Sequence, residues 1–469
     1  MPDLFSLLSN ASVSLQAHQA STLVASHNLA NANTEGYARQ RANLSTTSPE
    51  KLNAVSFIGR GVTASTITQS RDQFIEKQMP IGYARLGYST ARSETLITLS
   101  ALDPELPGGV NASMSEFYGA LRDATLQPAD PSVREPILSA AKQLSIAFNQ
   151  AGQEFQSIRN GADANLTANA DRASLLAAQI ADLNDKVNAA EVGGALPNDL
   201  YDARTKAVNE LAELTGAVPV ANASGDVNIR LPGGTDLVVG SVSYRLETRP
   251  NPTNRGHVDV IAISPNGLSE STVDPATLGG EMGGVMNARD GALRDAEEAL
   301  DQMAFEFAGA INALHSAGFD LNGNTGNDLF TTTAVPAGAS LALSLNPALN
   351  DDPNAVAMSA TALGLPGNAD ILHQMLDTEN QALPSGSPPR EVFGGIVAAY
   401  GAETRSALTN TEQERLVLNN LETRRAAVSS VSIDEEMVSI SKSQRSYEAL
   451  SKVVQTTNEM LDVLLSLKR

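Results

Sequence analysis

The chain has 469 residues, too many for one ordinary core, so two to four domains are expected, and a core of that size needs no disulfide staples. It contains no cysteine, which excludes disulfides and thiolate metal sites. A formal net charge of −21 argues against a nucleic-acid or anionic-membrane partner, because phosphate repels a surface of that sign. Aromatic residues make up only 4% and tryptophan is missing, a composition that suits long helices packed through thin seams. No run approaches the roughly eighteen apolar residues of a membrane span. The opening Met1-Pro2-Asp3-Leu4-Phe5-Ser6 has neither the basic region nor the apolar run of a Sec leader.

From Leu4 the apolar or small residues recur in steps of four and three at Leu4, Leu8, Ala11, Leu15, His18, Thr22, Ala25 and Leu29, which predicts a helix with a coiled-coil seam. Asn31, Asn33 and Gly36 then favour a turn, and residues 55–68 read as a short extended excursion. Asp130-Pro131 looks like an N-cap and first-turn proline for a long helix whose seam runs Ile137, Ala141, Leu144, Phe148, Ala151, Phe155, Ile158 and Ala162. The register shifts before Leu176, Ile180, Leu183 and Val187, and Gly161 at the shift predicts a kink or interruption; a continuous helix would reach roughly 80 Å. A shorter helix over about 198–214 closes at Gly216.

Between Val218 and Ile263 the period changes to two in short runs divided by Pro-Gly-Gly, Gly and Pro-Asn clusters, the pattern of a small antiparallel β unit. Helical spacing returns at Leu293, Ala296, Leu300, Met303, Phe307, Ala310 and Leu314. Residues 316 to about 390 read as loops and an irregular insert, and a long helix covers about 391–429. The last helix begins at Ser432, with Glu435 as its capping-box partner, and its seam is Ile433, Ile440, Ser443, Tyr447, Leu450, Val454, Thr457, Leu461 and Leu464. Asp434, Glu435 and Glu436 sit at its positive end and Lys468-Arg469 at its negative end.

The fold expected is mainly α with a β insert: a discontinuous multi-domain rod with a long helical bundle, whose N- and C-terminal helices pair as an α-helical coiled coil. Its parts are a terminal assembly domain (1–45 plus 430–469), a helical bundle rod (46–215 plus 276–330 plus 391–429), an antiparallel β insert (216–275) and a second, irregular insert (331–390). Each end carries one narrow apolar stripe, too little for a core of its own, so the two helices should pair and become stable once neighbouring copies cover their other sides. Contacts of that kind, head to tail, generate rings or tubes.

The stretch Ala30-Asn31-Ala32-Asn33-Thr34-Glu35-Gly36-Tyr37-Ala38-Arg39-Gln40 resembles the signature that follows the first helix in the axial proteins of the bacterial flagellum, its rod, hook and hook-associated proteins. The segments Asp434-Glu435-Glu436-Met437, Gln444-Arg445-Ser446-Tyr447 and Lys452 to Leu461 are similar to that family's last helix. Tyr37, the segment from Asn198 to Arg204 and Gly283-Gly284-Val285-Met286-Asn287-Ala288-Arg289-Asp290 look more like the hook-associated members. The ending Leu464-Leu465-Ser466-Leu467-Lys468-Arg469 would also suit a rod or hook subunit.

The resemblance implies a structural, non-enzymatic subunit joining hook to filament. It implies secretion through the flagellar type III export apparatus to an extracellular site at the hook–filament junction, with the chain's own copies, the hook protein, the next hook-associated protein and an export chaperone on the C-terminal helix as partners. The assembly interface would be carried by Leu4, Leu8, Leu15, Leu29, Ile433, Ile440, Tyr447, Leu450, Val454, Leu461 and Leu464, and the family motif by Asn31, Asn33, Thr34, Gly36, Tyr37, Arg39 and Gln40. A rod or hook subunit and an unrelated secreted helical adhesin are the competing readings, with a hydrolase hidden in the inserts a fourth.

Neither cofactor nor metal is expected. Asp320 to Asp328 imitates a calcium loop, but Thr325 replaces the turn glycine and Thr331 the closing Glu. The five histidines, His18, His27, His257, His315 and His373, lack ligand spacing and read as solvent-facing or seam residues. Gly59-Arg60-Gly61 and Pro232-Gly233-Gly234 read as hairpin turns, not phosphate cradles, and no GxSxG elbow supports a catalytic serine.

Overall fold

The computed structural model describes residues 4–51, 57–221, 226–350 and 352–466. Lys468 and Arg469, Val55 and Ser56 lie outside the described residues. The first helix, α1 (Leu4–Ala30), leads into an antiparallel ribbon of β1 (Gln40–Thr46) and β4 (Val62–Gln69), with β2 (Glu50–Lys51) and β3 (Phe57–Ile58) paired beyond it. Helices α2 (Gln73–Ile97), α3 (Val110–Leu126), α4 (Arg134–Val192) and α5 (Asn198–Thr215) follow.

The β unit consists of two antiparallel meanders. One holds β5 (Val218–Ala221), β6 (Val227–Arg230), β7 (Asp236–Val239) and β8 (Val242–Ser243); the other holds β9 (Arg245–Pro250), β10 (Val258–Ile263) and β11 (Glu270–Thr272). Their inward residues Ile229, Val238, Leu246, Val260 and Ala262 join the lower half of α4, α5 and the next helix, α6 (Gly280–Ala288), in one core. After α7 (Arg294–His315), the short β12 (Phe330–Thr331), α8 (Ala339–Ala342), β13 (Ser344–Leu345) and α9 (Asp370–Asp377) fold onto the upper core through Phe330, Leu343, Val356, Met358, Leu372 and Met375. Helices α10 (Pro389–Ser429) and α11 (Ile433–Ser466) complete the chain. A mainly α fold with a β insert is thus what forms.

The expected interruption at Gly161 does not occur. α4 is a single helix of 59 residues, or about 90 Å at 1.5 Å per residue. Its buried stripe runs without a gap through Phe155, Arg159, Ala162, Leu166, Ala170, Ala173, Ala177 and Ile180. The register shift is real in the apolar pattern only, because an arginine and small alanines occupy the stripe where the two cores meet. Arg159 is 1% exposed and pairs with Glu297 at 2.6 Å. Around it Arg289 binds Asp163 and Asp290, and Asp163 accepts from His257 Nδ1 at 2.8 Å. His257, expected on a seam or in solvent, therefore belongs to a buried ion cluster that ties the β unit to the rod. The helical chain changes step at the same level, with a π-turn over Arg289–Leu293.

Glycines set how closely the helices approach. A Cβ on Gly87 would lie 2.5 Å from the Glu213 carbonyl, and one on Gly284 2.2 Å from the Tyr88 carbonyl, so α5 and α6 can press against α2 only where those side chains are missing. His315 is fully buried at the end of α7: Nδ1–H donates to the Asn327 carbonyl, and Nε2 accepts from the Ala357 N–H at 3.0 Å. Burial holds its pKa below the ordinary histidine value. In the imitation calcium loop, the Asp320 carboxylate accepts from the backbone N–H of Asn324 at 2.8 Å and from its side-chain amide at 3.3 Å, as in a polar turn.

Two outcomes follow. Gly284→Ala should destabilise the rod by about 1–3 kcal/mol through overpacking, measured by urea unfolding; an unchanged midpoint would contradict the close approach. The unfolded chain takes up a proton near pH 6.5 that the buried His315 ring resists, so its stabilisation is full above that pH and declines as pH falls through it. Between about pH 7.5 and about pH 5.5 a His315→Gln variant should lose less stability than the parent, by up to about 1.4 kcal/mol per pH unit. Equal losses would refute the assignment.

Candidate assembly site

The two ends of the chain meet in an antiparallel helical pair. Ser21 lies opposite Ser443, their hydroxyls 3.3 Å apart, Asn28 donates to Glu436, and Leu4 faces Thr456, Met460 and Leu464. Along α11 the half-buried Ile440, Leu450, Val454 and Leu461 follow the seam read from the sequence, whereas Ile433, Tyr447 and Leu464 are exposed. On α1, Leu4, Leu8, Leu15 and Leu29 are half-buried, and the fully buried residues are Ala11, Ser14, Ala17, Val24, Ala25 and Asn28. The burial is rotated from the expected stripe because α1 has a second neighbour. The β1–β4 ribbon lies along its flank, where the Ser14 hydroxyl accepts from the Val62 N–H at 3.2 Å.

The seam is thin. α11 buries only Glu436, Ser443 and Thr457 fully, none of them apolar. Met437, Val438, Met460, Val463 and Leu465 stay 53% to 68% exposed, as do Phe5 and Leu23 on α1. Burying each such side chain is worth about 1.5–3 kcal/mol, so the pair leaves most of its apolar potential unused.

What fixes the pair to the rod is polar. α1 ends at Ala30, where the Asn31 side chain donates to the His27 carbonyl at 3.1 Å and the Thr34 hydroxyl donates to the Asn31 side chain. Gly36 takes the left-handed conformation that turns the chain back, with φ of 80°. The Tyr37 hydroxyl then donates to Asn28 Oδ1 at 2.8 Å. Asn28 also clasps the Gln40 backbone, accepting from its N–H and donating to its carbonyl, both at 2.9 Å. Arg39 reaches across to Glu435 and Glu436, each at 2.7 Å, while its own N–H bonds the Ser429 carbonyl. Gln40 and the Ala38 N–H close the junction onto α5 through Asp199 and Asp202, and Asp202 pairs with Arg71. Burial, then the carboxylates of Asp199, Asp202 and Glu436, push the Tyr37 hydroxyl pKa well above its ordinary value, which keeps it a donor. Asp202 is also raised, because burial outweighs the Arg71 charge.

Of the motif residues, Asn31, Thr34, Gly36, Tyr37, Arg39 and Gln40 meet in this elbow and Asn33 faces solvent. The expected capping box forms in one direction only: the Ser432 hydroxyl accepts from the Glu435 N–H at 3.5 Å, but the Glu435 side chain goes to Arg39. Sequence reasoning missed Asn28, Arg71, Asp199 and Asp202. An asparagine on the buried side of an otherwise apolar helix was the available signal, since a buried amide must be hydrogen-bonded.

Residues 103–330 match the family model described as "Flagellar hook-associated protein FlgK helical domain", and residues 426–467 match "Flagellar basal body rod FlgEFG protein C-terminal". The chain is similar over 99% of its length to flagellar hook-associated protein 1 of Escherichia coli (strain K12), at 24% identity over 100% of that protein. It is also similar to the protein of the same name from Bacillus subtilis (strain 168), at 27% identity over 99% of each. The chain carries the helical domain of the matched family and is similar along its whole length to flagellar hook-associated protein 1. The solved flagellar hook junction protein FlgK from Burkholderia pseudomallei superposes with a TM-score of 0.51 at 27% identity, covering 56% of this chain and 47% of that one. The family is structural rather than enzymatic and places the protein in the flagellum at the hook, among other hook and filament components.

Asn28→Ala should uncouple the arm from the rod, at a cost of about 2–4 kcal/mol for the unsatisfied Gln40 backbone groups. Faster amide exchange at Gln40, with the rod core unchanged, is the expected readout; unchanged protection at Gln40 would contradict the clasp.

Proposed function

We propose that the protein is exported through the flagellar type III apparatus as an unfolded chain and joins hook to filament by packing α1 and α11 against the same helices of neighbouring copies. One observation carries this reading: α11 buries only polar residues fully and leaves its apolar ones half-buried or in solvent. A helix pair with that distribution gains stability from further copies, not from itself. The assembly residues are those of the seam, Leu4, Leu8, Leu15, Leu29, Ile433, Ile440, Tyr447, Leu450, Val454, Leu461 and Leu464, joined by the exposed Val438, Met460 and Val463. The terminal pair acts as the assembly domain, the long bundle as a rod and the two inserts as outward decoration. Its partners are its own copies in a ring or tube, the hook protein, the next hook-associated protein and a chaperone that covers α11 before export, and its work is not catalytic.

Removing residues 1–30 or 440–469 should leave a folded rod that does not assemble. Val438→Asp leaves the single copy untouched, yet should reduce incorporation at least tenfold, since burying an unpaired carboxylate costs several kcal/mol. Leu450→Asp should do the same and also loosen the α1–α11 pair. Immunoelectron microscopy of cells carrying each variant reads the result: bare hooks with flagellin lost to the medium support the junction role. Missing hooks would assign the protein to the rod, and normal filaments would refute the interface.

A further inference from the structure

A second contact between copies is carried by the rod, away from the terminal helices. Between the start of α2, the middle of α5 and the β5–β6 pair lies a cleft of 360 Å³. Three cations, Arg71, Lys77 and Arg204, and one carboxylate, Glu76, line it beside the apolar Pro80, Val208 and Val227. Glu76 is neutralised by Arg71 and Arg425, and Arg71 also pairs with Asp202, which leaves Lys77 and Arg204 as the cations open to a ligand. Arg204 is over nine-tenths buried; its guanidinium donates to the Asn184 side chain and lies over the Tyr201 ring, and among the described residues no carboxylate is within ion-pair distance of it. Among the described residues the Arg71 Nε–H and the Asn209 Oδ1, both buried, have no hydrogen-bond partner, and Asn209 is 9% exposed. Lys77 stands exposed at the rim, in no ion pair among the described residues.

A donor-rich cleft with one unmet acceptor and an apolar floor fits a peptide that brings a carboxylate, a neighbouring aliphatic side chain and a backbone N–H. In a chain of net charge −21, copies repel one another unless such sites meet acidic segments. We propose that the cleft receives Glu105 and Leu106 of a second copy. Both are exposed in the loop between α2 and α3, where the Asp103 carboxylate accepts from the Glu105 N–H at 2.9 Å and stiffens the turn. Cleft and loop lie at opposite ends of α2, about 37 Å apart at 1.5 Å per residue, so they cannot meet within one copy. Two copies displaced along α2 bring them together, a heterologous contact that propagates around or along a tube.

This contact rests on the proposed assembly in the flagellum, and its test separates the two. A photo-reactive residue at Gln73, on the cleft wall, is placed in the full chain in cells that build flagella. The expected product is a dimer of this chain linked to a peptide within residues 99–109. Its yield should fall about tenfold in Glu105→Lys and recover in Lys77→Glu/Glu105→Lys. A link within one copy, to another segment or to another protein, or no link in cells with complete flagella, overturns the contact while leaving the terminal-helix assembly standing. Flagella that lack the chain altogether overturn both.

Discussion

The α1–α11 pair is held by polar groups and left open by apolar ones, and that inversion of the usual helix pairing governs the rest of the structure. At one end Asn28, Arg39 and Glu436 lock the two helices together and to the rod. Beyond the lock the seam consists of Ser21 against Ser443, alanines and half-covered leucines. Hydrogen bonds fix geometry but add only about 0.5–1.5 kcal/mol each, so the elbow aims the arm without making it independently stable. On the proposed reading, the remaining stability comes from exposed side chains such as Val438 and Val463 finding apolar neighbours on other copies.

The rod answers the opposite need. Two apolar cores, one around Phe117, Phe148 and Phe307 and one around Leu166, Leu211 and Val260, are threaded on the single helix α4. Where they part, the buried ion cluster of Arg159, Asp163, Arg289, Asp290 and Glu297 replaces apolar packing. Breaking such a cluster by removing one partner leaves an uncompensated charge worth about 3–5 kcal/mol, so the β unit is pinned at one level and one orientation. In the assembly proposed above, a rigid rod lets weak contacts at the arm and the α2 cleft add up across many copies, because each new copy arrives already ordered in its middle.

The sequence showed the long helices clearly, since the steps of three and four at 137–162, 293–314 and 440–461 are dense enough to place them. The β unit showed equally well through its Pro-Gly-Gly and Pro-Asn turns. What stayed hidden has one cause: polar residues doing the work of apolar ones. The register break read at Gly161 arose because Arg159 stands in the α4 stripe, and Asn28 on α1 was passed over in favour of the neighbouring Leu29. The rotation of α1 was equally hidden, because it depends on a β ribbon that no local pattern places along the helix. Asp199 and Asp202 stood inside a segment singled out for resemblance alone, and only their approach to Gln40 and Ala38 shows what they do.

The account stands or falls on whether the terminal pair is held together by its own copy or by others. Amide hydrogen exchange on the isolated chain reads this directly. Residues 5–20 and 446–464 should exchange within seconds to minutes while the stripe of α4 stays protected, and both arms should become protected once copies assemble. Slow exchange along the full length of α1 and α11 in the lone chain would contradict the account.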